Sequence, residues 1–166
     1  MAHKYNVRQN VKIRELSHQT LYFHIRIRLK MEFHFSEPQT IFERVLGGHF
    51  YINAIGRIEP GDDGKFKEFL EKCEPPPRLT IYIDSLGGNV EAAIEIGRVI
   101  RASWFSCSIG RYLIDTDQQP TDLLTKRNLN PGKCISAATL VFIGGRLRYF
   151  PNNSIFGVHQ FSFKAR

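Results

Sequence analysis

Hydrophobic and polar residues alternate with period two from Leu21 to Phe35. Leu21, Phe23, Ile25, Ile27, Leu29, Met31, Phe33 and Phe35 fall on one side, and Tyr22, His24, Arg26, Arg28, Lys30, Glu32 and His34 on the other. Successive side chains of a strand point to opposite faces, so the stretch predicts a strand or hairpin with one apolar face. His24 and His34 share the polar side and read as solvated rather than as ligands. Ser36-Glu-Pro38 breaks the pattern. His49 to Ile55 is a second strand candidate, followed by a turn-forming run from Glu59 to Gly64. Lys65 to Lys72 has helical spacing, with Phe66, Phe69 and Leu70 on one face, and Glu74-Pro-Pro-Pro77 ends it. Leu79 to Ile83 is short and rich in β-formers, the pattern of a buried strand.

Asp84-Ser-Leu-Gly-Gly-Asn89 comes next, and the glycines permit close backbone approach. Behind it, Val90 to Arg101 reads as an amphipathic helix with Val90, Ala93, Ile94, Gly97 and Ile100 on one face. A strand, a Gly-Gly turn and a helix in that order aim free N–H groups at whatever occupies the turn. The spacing is not that of a phosphate loop. Trp104 to Ile109 predicts another strand, and the polar run from Gly110 to Lys133 a long surface loop with a helical turn near Asp122 to Lys126. Ser136 then precedes an uncharged run, Ala137 to Ile143, that stops at Gly144-Gly145 and predicts a buried helix. A hydroxyl at the first turn of such a helix is either an N-cap or a nucleophile whose oxyanion neighbouring N–H groups stabilise. Arg146 to Phe150, a turn at Pro151-Asn-Asn153, and Ser154 to His159 predict a strand pair that His159 closes. No internal repeat or low-complexity tract interrupts this order.

At 166 residues and 42% hydrophobic, the chain suits one globular domain with a real core. Its net charge of +7 is uneven. Lys4, Arg8, Lys12, Arg14, Arg26, Arg28 and Lys30 face a single acid, Glu15, in the first thirty residues, so most of the excess lies there. No RNA- or DNA-binding motif accompanies this arm, which reads as solvated. Cys73, Cys107 and Cys134 are too scattered for a disulfide framework, and no Cys/His cluster offers a metal site. No segment has the ~20 apolar residues of a membrane span. No signal peptide is visible, and a cytoplasmic location is the expectation as the sequence stands.

Three stretches in order carry a resemblance: Ile81-Tyr-Ile-Asp-Ser-Leu-Gly-Gly88, Ile135-Ser-Ala-Ala-Thr-Leu-Val-Phe142, and Pro151-Asn-Asn-Ser-Ile-Phe-Gly-Val-His-Gln160. Together they resemble the Clp protease proteolytic subunit and its ClpP/crotonase-fold relatives, closest to the bacterial Clp-like proteins that are often exported to the periplasm. The resemblance implies an α/β fold, a spiral of β-β-α units. It divides the chain into a basic N-terminal extension, residues 1–40, and a domain over 41–166 whose C-terminal part is incomplete. It implies Ser136 as nucleophile, His159 as general base, and the N–H groups of Gly88 and Ala137 as the oxyanion hole. The implied activity is a serine peptidase-like hydrolysis of peptides or unfolded protein, with no cofactor and with homo-oligomerisation. An ATPase partner cannot be read from the chain.

The sequence also departs from the family pattern. Leu86 stands where the family's Gly-Gly turn has proline, and the stretch from Gly110 to Lys133 is longer than the family's link. The family's acid, which orients the histidine, belongs well beyond His159, whereas Arg166 is the last residue given. Asp115, Asp117 and Asp122 are the substitutes on offer. Cys134 reads as a buried structural thiol, and a Ser–Lys dyad would draw on Lys133 or Lys164. Two other functions stand beside the hydrolase: a catalytically silent binding or assembly subunit, and a crotonase-type enzyme acting on an acyl-thioester. The Ser136 and His159 pair argues against the second.

Overall fold

The computed structural model describes residues 30–119 and 122–159. Within them the chain is mixed α/β. The strands are β1 (Glu32–Ser36), β2 (Tyr51–Ile55), β3 (Thr80–Asp84), β4 (Ser106–Ile109), β5 (Arg111–Ile114), β6 (Arg127–Asn130), β7 (Lys133–Ile135), β8 (Arg148–Tyr149) and β9 (Ile155–Gly157). The helices are α1 (Ile41–Val45), α2 (Asp62–Cys73), α3 (Val90–Ala102) and α4 (Ala138–Gly144). Five strands form the main sheet in the order β1-β2-β3-β4-β8. β1 is antiparallel to β2, and the other neighbours are parallel. Two small ladders complete the framework, antiparallel β5–β6 and parallel β7–β9.

Both faces of the sheet are covered, which is why β2 and β4 are buried almost throughout. Ile52, Ala54, Ile81, Ile83, Cys107 and Ile109 join the core with Phe66 of α2, Ile96 and Ile100 of α3, and Val141 and Phe142 of α4. The opposite face meets the β5–β6 hairpin. There the Asn53 amide pairs with the Tyr112 main chain, donating to its carbonyl at 2.8 Å and accepting its N–H at 2.9 Å. Tyr51, Tyr82 and Tyr112 pack around that contact, with centroids 4.9–5.8 Å apart. Burial pushes the Tyr82 hydroxyl up to about 12.

α3 and α4 approach backbone to backbone. A Cβ on Gly97 would lie 2.6 Å from the Leu140 carbonyl oxygen, and one on Gly144 would strike the Gly97 carbonyl. Among the described residues no helix is long and apolar enough to cross a membrane.

Several expectations need correction. The stretch 110–133 holds β5, β6 and the start of β7; the segment 122–126 forms bends rather than a helical turn. β8 and β9 do not pair with each other. A turn containing Asn153 at φ 64° carries the chain from β4's side to β7's side, so each finds a different partner. The buried stripe of α3 is Ala92, Ala93, Ile96, Gly97 and Ile100, while Ile94 is exposed. α2 begins at Asp62, whose buried carboxylate accepts the Glu59 N–H at 2.6 Å and holds Lys65 at 2.8 Å. α1 had no counterpart in the sequence reading. β1 falls inside the stretch 1–40 set apart as an extension, yet it is the edge strand of the main sheet, and Met31 is in the core. The remainder of the alternating stretch, with His24, lies outside the described residues, as do Lys164 and most of the basic arm.

Candidate active site

Two β-to-α turns meet at the carboxyl ends of β3 and β7. The first is residues 84–89, between β3 and α3. Gly87 and Gly88 hold φ of 94° and 141°, values that favour glycine. Ile58 flanks one side of this turn, donating to the Gly87 carbonyl at 2.9 Å and accepting from the Asn89 N–H at 2.8 Å. β7 flanks the other, with the Ser85 N–H on Lys133 O at 2.6 Å and the Ile135 N–H on Ser85 O at 3.1 Å. Ser85 Oγ accepts the Gly87 N–H at 3.1 Å, and the Asn89 side chain caps α3 through the Ala92 N–H at 2.8 Å. Because Gly87 C=O and Asn89 N–H both face Ile58, the Gly88 N–H faces the other way.

The second turn carries Ser136 from β7 into α4. Ser136 sits at φ 58°, a left-handed conformation that costs a non-glycine residue on the order of 1–3 kcal/mol. Three hydrogen bonds hold it there. Its N–H donates to Gly157 O at 2.9 Å, and its carbonyl accepts the Thr139 N–H at 3.0 Å and the Thr139 hydroxyl at 2.7 Å. The N-cap position of α4 belongs to Ala137, and no side chain caps this helix. Capping, the plain structural role for the Ser136 hydroxyl, is therefore not its role.

The two turns touch. A Cβ on Gly87 would lie 2.6 Å from Ile135 O, 2.8 Å from Ser136 Cβ and 2.9 Å from the Ala137 nitrogen. Only a glycine allows this approach, which sets the Gly87–Gly88 backbone against Ser136 and Ala137. Among the described residues, neither the Gly88 N–H nor the Ala137 N–H meets an acceptor.

β9 brings in the histidine segment. Its parallel register sets Ile135 against Gly157. Continued past the strand ends, that register puts Val158 abreast of Ser136 and His159 one residue further on. His159 is exposed, two residues beyond β9 rather than its last residue.

The remaining candidates are Cys134 and Lys133, in β7 beside the junction, and the aspartates of the hairpin loop. Cys134 is fully buried, and burial pushes its thiol up, so it is no ready thiolate. Lys133 opens β7 and donates its N–H to Asp84 Oδ1 at 2.9 Å. Asp115 accepts from the Asp117 N–H at 3.1 Å and from Asn128 Nδ2 at 2.9 Å; Asp122 accepts from the Gln119 N–H at 2.9 Å and pairs with Lys126 at 3.1 Å. These carboxylates are engaged inside the hairpin loop. Sequence reasoning missed Thr139 and Ser85, which fix the two turns. Both lie inside the quoted motifs, and the hydroxyl three residues after Ser136 was the available signal.

Comparison of the chain with protein-family models, with curated proteins and with solved structures found no match.

Proposed function

We propose that the chain is a ClpP/crotonase-like α/β domain acting as a serine hydrolase on peptide bonds. The observation that carries this reading is the conformation of Ser136. A serine held at φ 58° between a strand and a helix, with its main chain fixed and no capping duty, is strain kept at a particular side chain. The Gly87–Gly88 turn pressed against it supports the same reading, as does the entry of the His159 segment through β9.

In the proposed reaction Ser136 Oγ attacks the scissile carbonyl while His159 takes its proton. The carbonyl oxygen gains negative charge and is met by the N–H groups of Gly88 and Ala137, each such donor contributing about 3 kcal/mol to the transition state. Collapse breaks the C–N bond, and the amine leaves with the proton from His159. Water then attacks the acyl-serine, His159 again taking a proton and returning it to Ser136. Peptides and unfolded segments are the substrates this reading implies.

The test is labelling by a fluorophosphonate probe, comparing the wild-type chain with Ser136→Ala and His159→Ala. Labelling of the wild type and loss in both variants is expected. A folded wild type that takes no label sinks the hydrolase reading and leaves the silent binding or assembly subunit.

A further inference from the structure

Asp84 is the last residue of β3 and has no part in the reaction proposed above. Its side chain is buried, and each carboxylate oxygen has a partner. Oδ2 accepts the Arg111 Nε–H at 2.5 Å, and Oδ1 accepts the Lys133 main-chain N–H at 2.9 Å. Arg111 is the first residue of β5 and Lys133 the first of β7. One buried carboxylate therefore holds the chain where it leaves for the β5–β6 hairpin and where it returns from it. Glycines let this base close tightly. A Cβ on Gly132 would lie 2.7 Å from Gly110 Cα and 3.2 Å from Asp84 Cβ.

All three segments of the junction start from this base. Gly88 follows Asp84 by four residues, and Ser136 follows Lys133 by three. The Ser85 N–H on Lys133 O and the Ile135 N–H on Ser85 O lay β7 along the Gly-Gly turn. The segment leading to His159 enters at the same point, because the Ile155 N–H donates to Gly132 O at 2.9 Å. A shift of Lys133 against Asp84 is thus passed on to the Ser136 backbone and to β9. Two oxyanion donors must converge on one atom, and a misplacement of about 1 Å can cost about a hundredfold in rate. Hydrogen bonds to an ionised carboxylate are stronger than neutral ones, which makes the Asp84 contacts a firm fixture for this geometry.

We propose that Asp84, held by Arg111, is a positioning residue of the hydrolase: the pair sets the Gly88 and Ala137 N–H groups at the spacing that the oxyanion requires. This inference rests on the hydrolase reading above. Asp84 acts through Lys133 and the two turns, not on the substrate.

The test follows fluorophosphonate labelling of the full chain over time in the wild type, Arg111→Met and Arg111→Gln. The Arg111 side chain is 20% exposed, so its replacement is milder than a change at buried Asp84. Methionine removes the donor. Glutamine keeps one, because its Nε2 falls at the same place along the side chain as arginine Nε. The maximal labelling rate per folded molecule should fall about tenfold or more in Arg111→Met, with the half-saturating probe concentration little changed. Arg111→Gln should recover most of that rate. A purely structural role would lower the folded fraction seen by circular dichroism and leave the rate per folded molecule as in the wild type. That outcome overturns the proposal, as does an Arg111→Gln chain as slow as Arg111→Met. NMR of the ¹⁵N-labelled proteins reads the geometry without a reaction: the Gly88, Ser136 and Ala137 amide resonances should move in Arg111→Met and return in Arg111→Gln. Unmoved amides beside a wild type that labels overturn this proposal alone. A folded wild type that takes no label overturns the hydrolase reading and this proposal with it.

Discussion

Ser136 is where conformation and chemistry meet at the scale of one residue. Left-handed positions are ordinarily given to glycine or asparagine, so a serine at φ 58° is kept against its backbone preference. Ser136→Gly should therefore be more stable than Ser136→Ala by about 1 kcal/mol in denaturant unfolding, although both lose the fluorophosphonate label. Equal stabilities would show that the φ value carries no strain. Gly87 is the complementary case. Its substitution by alanine presses a methyl group onto Ile135 O, Ser136 Cβ and the Ala137 nitrogen, at a φ that alanine resists. Gly87→Ala should lose about 1–3 kcal/mol of stability and at least a tenfold factor in labelling rate; a variant that labels at the wild-type rate would separate this turn from the site. The identities of Ser136 and Gly87 were legible in the sequence. The positive φ of Ser136 was not, because the bonds that impose it come from Gly157, far along the chain, and from Thr139.

At the scale of elements, legibility followed burial. β2, β3, β4, α3 and α4 each present a run or stripe that the core requires, and their apolar spacing announces them. The β5–β6 hairpin is half exposed and carries asparagines and arginines, so it reads as a loop. Its strand character comes from the ladder between β5 and β6, and the amide of Asn53 ties that ladder to the main sheet through the Tyr112 main chain. The expected stripe of α3 shares Ala93, Gly97 and Ile100 with the buried one but took Val90 and Ile94 where Ala92 and Ile96 are buried. The hairpin is fixed to α1 by the Glu43–Arg127 pair, and the Arg127 guanidinium holds the Glu43 carboxyl well below the usual carboxylate range. A carboxylate with a depressed folded-state pKa contributes stability that is complete above its unfolded value and declines as pH falls toward the folded one. Stability should thus fall as pH drops below about 4.3 and keep falling through the acid range. Glu43→Gln should cost about 3 kcal/mol at neutral pH, leaving Arg127 buried without its counter-charge, and should flatten the acid slope. Urea unfolding at a series of pH values reads both effects, and an unchanged slope in the variant would assign the acid loss to other groups.

At the scale of the molecule, the question is whether residues 31–36 are an appendage or part of the body. The family resemblance drew a line at residue 40, because its motifs all lie after it. Packing places β1 on the other side of that line. β1 pairs with β2 through all five of its residues, and the Phe33 ring packs at a tilt against Phe66 and Phe69 of α2, with centroids 4.7 and 5.7 Å away. Phe66 is itself at the centre of the core, so Phe33 ties the edge strand to the helix layer. Phe33→Ala should then lower the stability of the whole chain by about 3 kcal/mol, the loss expected on emptying an aromatic site. Unfolding should remain one transition, with fluorescence and circular dichroism coinciding, because Phe33 packs against the core that β2, β3, β4, α2, α3 and α4 share. A chain starting at residue 41 removes the same contacts and also exposes the β2 edge. It should therefore lose the cooperative transition altogether. If Phe33→Ala left the main transition in place and only removed a separate early one, β1 would be an annex to a domain complete without it.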